Sequence, residues 1–135
     1  MPAPVDEEAW LAIWNSQTAQ PILANADPEV EIHAVTLGIE GRLYTGHEGL
    51  RAWMRDIRDR YSAHSRAEEI EPLAEDALMV LGTIFLDDGF GGQEEQRFAM
   101  VVHLRDEKAR WIGTFFSASD AREAFKAGVT GPHPG

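Results

Sequence analysis

Two histidines stand where an imidazole could do acid–base work. His103 lies mid-run among Val101, Val102 and Leu104, and His33 lies in the apolar-rich stretch Val30 to Leu37. A neutral imidazole among apolar neighbours can take a proton as a general base or donate a hydrogen bond to a carbonyl. The plainer alternative for each is a core or rim histidine paired to a backbone group, since buried polar groups are normally satisfied. The tryptophans are a second resource. Trp14, Trp53 and Trp111, with Tyr44, Phe98 and Phe115, could wall a pocket for a flat apolar ligand, or could be ordinary core.

Other chemistries are disfavoured by what is missing. The chain has no cysteine, so a thiol nucleophile, a disulfide framework and a cysteine-ligated zinc are excluded. No two histidines are spaced HxH or HxxxH, and no carboxylate joins His47, His64 or His133 in a ligand pattern. No metal and no cofactor are therefore expected. There is no Gly-x-Ser-x-Gly, phosphate-binding loop or dinucleotide fingerprint, and Gly89-Phe90-Gly91-Gly92 is a Gly-rich hairpin with no helix after it. Lys plus Arg is 12 against 23 Asp plus Glu, a net charge of −11, which disfavours nucleic-acid and anionic-membrane partners. Arg97 and Arg105 flank the apolar run and read as surface ion-pair residues, with a greeting role for an acidic ligand as the alternative. No apolar run approaches the ~20 residues of a membrane helix, and the acidic, Pro-containing start does not read as a signal peptide. The expectation is one soluble, cytoplasmic domain over residues 1–135, with an ordered core at about 5–127 and a frayed tail at 128–135.

The elements that must position these residues follow from periodicity. Val5, Ala9, Trp10, Ile13 and Trp14 recur at helical spacing behind Asp6-Glu7-Glu8, which predicts a helix over about 5–19. Pro21 ends it or begins the next turn. A strand is expected from Val30 to Leu37, with Arg42-Leu43-Tyr44 as a short pairing segment. Leu50, Trp53, Met54, Ile57 and Tyr61 form one stripe of an amphipathic helix over about 46–62. Four strands follow at about 65–73, 77–87, 96–106 and 109–117, joined by tight turns at 74–76 and 106–108. Ser119 is the expected cap of a last helix, Asp120 to Ala127. The layout is α+β. Phe98 to Leu104 is apolar on both faces and Ala77 to Leu86 nearly so. One face can pack on the helices, and the other predicts a homodimer.

The stretch Tyr44-Thr45-Gly46-His47-Glu48-Gly49-Leu50-Arg51 resembles the aromatic-x-Gly-His-x-Gly-aliphatic-Arg opening of the long helix in SnoaL-like proteins of the NTF2-like superfamily. Asp27-Pro28-Glu29-Val30-Glu31 is similar to their first-strand entry, Arg105 to Ala109 to their last hairpin turn, and Ala121 to Ala124 to their closing helix. Glu107 stands where that turn usually has Gly, so the turn type is expected to differ. The resemblance spans about residues 5–127. It implies a cone-shaped fold in which a strongly bent, mostly antiparallel sheet wraps the long helix and N-terminal helices close a pocket. It also implies a small apolar or aromatic ligand and a dimer through the sheet.

The resemblance does not carry over the acids of the well-known enzymes. The isomerases' first-strand Asp would fall within Val30-Glu31-Ile32-His33-Ala34-Val35, which has none. Their second acid would fall near Val101, and the cyclases' acid within Trp111 to Phe115, which contains no carboxylate. His103 and His33 are then the candidates for acid–base chemistry on a carbonyl compound. The pocket is expected to be lined by Trp14, Tyr44, Trp53, Phe98, Val101, Trp111 and Phe115. The competing expectation is a non-catalytic interaction module that dimerises through its sheet.

Overall fold

The computed structural model describes residues 6–16, 19–34, 42–61, 64–87, 90 and 92–131. The chain runs α1 (Glu7–Trp14), α2 (Gln20–Ala24), β1 (Ala26–His33), β2 (Leu43–Thr45), α3 (Gly46–Tyr61), β3 (His64–Ala74), β4 (Ala77–Asp87), β5 (Gln93–Arg105), β6 (Lys108–Phe115) and α4 (Ala118–Lys126). The expected helices and strands are present in the expected order. Asp6 caps α1 by accepting from the Ala9 N–H at 3.0 Å, and Pro21 opens the separate turn of α2. The first strand begins at Ala26 rather than Val30, and Val35 to Leu37 fall outside the described residues.

The six strands form one sheet in the order β2-β1-β6-β5-β4-β3, antiparallel except for the β1–β6 pair. This is the mostly antiparallel α+β architecture expected. Helices α1, α2 and α3 stand on one side, called here the inner face. Leu50 and Trp53 of α3 are buried there with Val30 and Ile32 of β1, Phe98, Met100 and Val102 of β5, and Ile112 of β6. The outer face carries a second apolar cluster. Met79, Ala99, Val101 and Trp111 are buried beneath α4, whose Ala121 is fully covered and whose Ala118 and Phe125 pack around them.

That second layer changes the reading of the double-sided apolar strands. The pattern assigned the outer face to another subunit, but α4 of the same chain covers Met79, Ala99 and Val101, so the pattern is satisfied without one. Ser117, not Ser119, caps α4 by accepting from the Asp120 N–H at 3.1 Å. Arg122 ties the helix down through a two-pronged pair with Glu71 of β3, at 2.9 and 2.7 Å, and this contact holds the Glu71 carboxyl below its usual range. The segment after α4 is also fastened: Gly128 and Val129 donate to the carbonyls of Phe125 and Ala124 at 3.1 Å. Of the tail expected at 128–135, residues 132–135 lie outside the described residues.

At the far end of the sheet, Arg105 grips the buried Asp27 at 3.0 and 2.9 Å and reaches Glu29 at 2.9 Å. It is thus an ion-pair residue of the fold. Burial raises the Asp27 carboxyl, but the Glu29 N–H and Arg105 outweigh it and hold the carboxyl below the usual value.

The β5–β6 turn puts both central residues in the left-handed region, Asp106 at φ 52° and Glu107 at φ 67°. Such a turn suits the right-handed twist of its strands, but a side chain other than Asn, Asp or Gly is strained there by about 1 kcal/mol. Replacing Glu107 by Gly is therefore expected to raise stability by about 0.5–1 kcal/mol despite the added freedom of the unfolded chain. Urea denaturation checks this; a midpoint that falls would remove the strain from the account.

Candidate functional site

Strand alternation decides where each candidate residue goes. Inner-facing Phe98, Met100 and Val102 alternate along β5 with outer-facing Ala99, Val101 and His103. On the inner face, Trp10 and Trp14 of α1, Trp53 of α3, Tyr44 of β2 and Phe98 of β5 belong to one apolar assembly, with Leu50, Ile57 and Met54 along α3. Val101, Trp111 and Phe115 belong to the outer cluster. The seven residues expected to line one pocket thus divide between two faces.

The histidines go with the outer group. His33 stacks at a tilt on Trp111, ring centroids 5.1 Å apart. His103 meets the same indole edge-on at 5.5 Å and the Phe125 ring of α4 at 5.7 Å. Gly113 makes this arrangement possible. It pairs with His33 across β1–β6, and a Cβ there would strike the Trp111 ring, which lies over that position. The His103 Nε2 is 2.8 Å from the Thr130 hydroxyl, and Gly131 lies against the ring. The two imidazoles therefore flank one tryptophan on the outer face, with His103 beneath α4 and the 128–131 segment. They do not face the layer between the inner face and α1–α3.

The inner layer has its own polar groups. Asn15, just past the end of α1, uses both atoms of its amide on one residue of the edge strand. Its Nδ2 donates to the Ala67 carbonyl, and its Oδ1 accepts from the Ala67 N–H, each at 2.8 Å. This pair substitutes for a neighbouring strand at the edge of β3 and fixes α1, and with it Trp14, over the inner face. The Trp14 Nε1–H is buried and meets no hydrogen-bond acceptor among the described residues. Buried indoles usually find a partner, and an unmet donor costs about 1–3 kcal/mol. Thr114 of β6 is fully buried. Tyr44 donates its hydroxyl to Asp56 at 2.8 Å, and Arg42 pairs with the same carboxylate at 3.2 Å while lying over the Tyr44 ring. His47 donates from Nε2 to the Ala26 carbonyl at 2.9 Å and so fastens the start of α3 to β1. Asn15 carried no signal in the sequence, because its partner lies 52 residues away. No group of three or more His, Asp or Glu with metal-holding geometry occurs among the described residues. No helix among them is long and apolar enough to cross a membrane.

Burial pushes the His103 imidazole below the ordinary histidine value of 6.5, with the Asp76 carboxylate opposing. It is therefore neutral at pH 7. A folded-state value below the unfolded one means that the unfolded chain binds the proton more readily. The stability contribution is complete above 6.5 and is lost as pH falls through the folded-state value. His103→Gln is expected to flatten the fall in unfolding free energy between pH 7 and 5 relative to the unmodified chain. Proton NMR should show the His103 ring titrating below 6.5; a value above it would contradict the desolvated placement.

No protein-family model matches the sequence, and no curated protein matches it. Solved structures do. TerC, co-crystallised with polyporic acid, is 22% identical, with 88% of this chain and 96% of that chain covered at a TM-score of 0.66. A Mycobacterium tuberculosis protein in complex with estradiol-17β-hemisuccinate is 16% identical, with 83% and 93% covered at 0.63. A SnoaL-like polyketide cyclase, so described provisionally, from Jannaschia sp. CCS1 is 12% identical, with 89% and 90% covered at 0.64. Similar structures also include an NTF2-like protein of Burkholderia pseudomallei and a Catenulispora acidiphila protein with a ketosteroid isomerase-like fold. At such identities the likeness carries the fold, and the fold is NTF2-like.

Proposed function

We propose that this chain is a SnoaL-like protein that binds a small apolar or aromatic molecule between the inner face of its sheet and helices α1 and α3. The observation that carries the reading is the gathering of Trp10, Trp14, Trp53, Tyr44 and Phe98 on that face, from four different elements. Aromatic walls with a few placed polar groups are the usual make-up of a small-molecule site. The M. tuberculosis protein and TerC, which share the fold, are known in complex with a steroid derivative and with polyporic acid. Their ligands suggest the size and flatness to try first.

The reading is binding before turnover. His33 and His103 pack on Trp111 of the outer face, so acid–base chemistry by either would take place there and not on a molecule held by Trp10, Trp14 and Trp53. Cyclase- or isomerase-like catalysis in the inner layer would need another proton carrier, and the Asp56 carboxylate is already engaged by Tyr44 and Arg42.

Tryptophan fluorescence followed during titration with estradiol and with polyporic acid tests this. At least one should give saturable quenching with a dissociation constant on the order of micromolar, an affinity of about 8 kcal/mol. His103→Ala should bind as the unmodified chain does, because His103 lies on the outer face. Failure of both compounds to saturate, or loss of binding in a folded His103→Ala variant, would contradict the inner-face site.

A further inference from the structure

We infer that Trp14 is a specificity-determining donor, and that the ligand of the inner layer presents a hydrogen-bond acceptor oxygen, a ketone or quinone carbonyl, to its indole N–H. This rests on the binding reading above and adds the chemical class of the ligand to it.

Two independent observations meet at this residue. First, the Trp14 Nε1 is buried and unpartnered among the described residues, although the ring packs against the aromatic assembly of the inner face. An N–H held out of water with no acceptor is a defect in an ordinary core and an advantage in a binding site, where an incoming oxygen relieves it. Second, the backbone that carries the ring is anchored. The neighbouring Asn15 is locked to the Ala67 backbone by two hydrogen bonds of 2.8 Å, which fixes the end of α1 on the edge strand. The cluster its ring packs against is apolar, with Trp10, Leu50, Trp53 and Phe98 among its buried members. A buried donor with no acceptor among the described residues discriminates by what a ligand lacks. A hydrocarbon of the same shape fills the site but leaves the N–H unmet, whereas a carbonyl oxygen at the same position satisfies it. The indole can only donate, so an ammonium or another pure donor gains nothing there.

The test uses two flat ligands of nearly the same shape, 9-fluorenone and fluorene, on the full chain. Fluorenone is expected to bind about tenfold more tightly than fluorene, the usual worth of one neutral hydrogen bond. In Trp14→Phe the ratio between the two should fall to about one. In the unmodified chain, nitrogen-15 NMR should show the assigned Trp14 indole proton moving downfield with fluorenone and not with fluorene. That measurement stands even if Trp14→Phe fails to fold. Equal affinities in the unmodified chain, an indole proton unmoved by bound fluorenone, or a tenfold preference retained in folded Trp14→Phe would each overturn the role of Trp14 while leaving the binding site intact. If neither compound binds, the inner-layer site falls and the inference falls with it.

Discussion

The period-two alternation of β5 governs the rest of the molecule. Because this strand is central and covered on both sides, each of its residues is committed to one layer or the other. Phe98, Met100 and Val102 serve the helices α1–α3, while Ala99, Val101 and His103 serve α4. No side-chain movement lets Phe98 and His103 share a wall. The sheet therefore separates two environments: an aromatic layer with an indole donor unmet among the described residues on one side, and a histidine–tryptophan–histidine cluster on the other.

The inner layer depends on anchors placed at its margins. Asn15 substitutes for a strand at the edge of β3, His47 fastens α3 to the Ala26 carbonyl, and Arg105 clamps Asp27 beside the same strand end. All three use polar groups at the rim, where the protein keeps its ion pairs, and leave the space between helices and sheet to apolar rings. On the outer side, Arg122–Glu71 and Thr130–His103 do the same for α4 and the segment that follows it. Polar contacts orient the layers, and apolar contacts fill them.

Much of this was legible in the sequence. The stripe Leu50, Trp53, Ile57 marked α3, and the long apolar runs marked β4 and β5 with their pairing. The chain's resemblance to the SnoaL-like stretch at Tyr44 to Arg51 marked the fold. What could not be read was which face each strand residue takes, since a slip of one residue reverses every assignment. Trp111 shows why. Arg110 is an extra residue between Ala109, paired with Leu104, and Trp111, paired with His103. This bulge shifts the alternation, so Ala109 packs inward and Trp111 outward although they are two apart. Counting from the hairpin turn alone puts Trp111 on the pocket wall. The covering of the outer face by α4 was equally hidden, because an apolar strand face has the same sequence whether a helix of its own chain or a second subunit lies on it.

The most direct test is a crystal structure of the chain with fluorenone bound. The account requires the ligand ring between Phe98 of the inner face on one side and helices α1 and α3 on the other, with its oxygen about 3 Å from the Trp14 Nε1. Ligand density beneath α4, between His33 and His103, would contradict it and move the functional site to the outer face of the sheet.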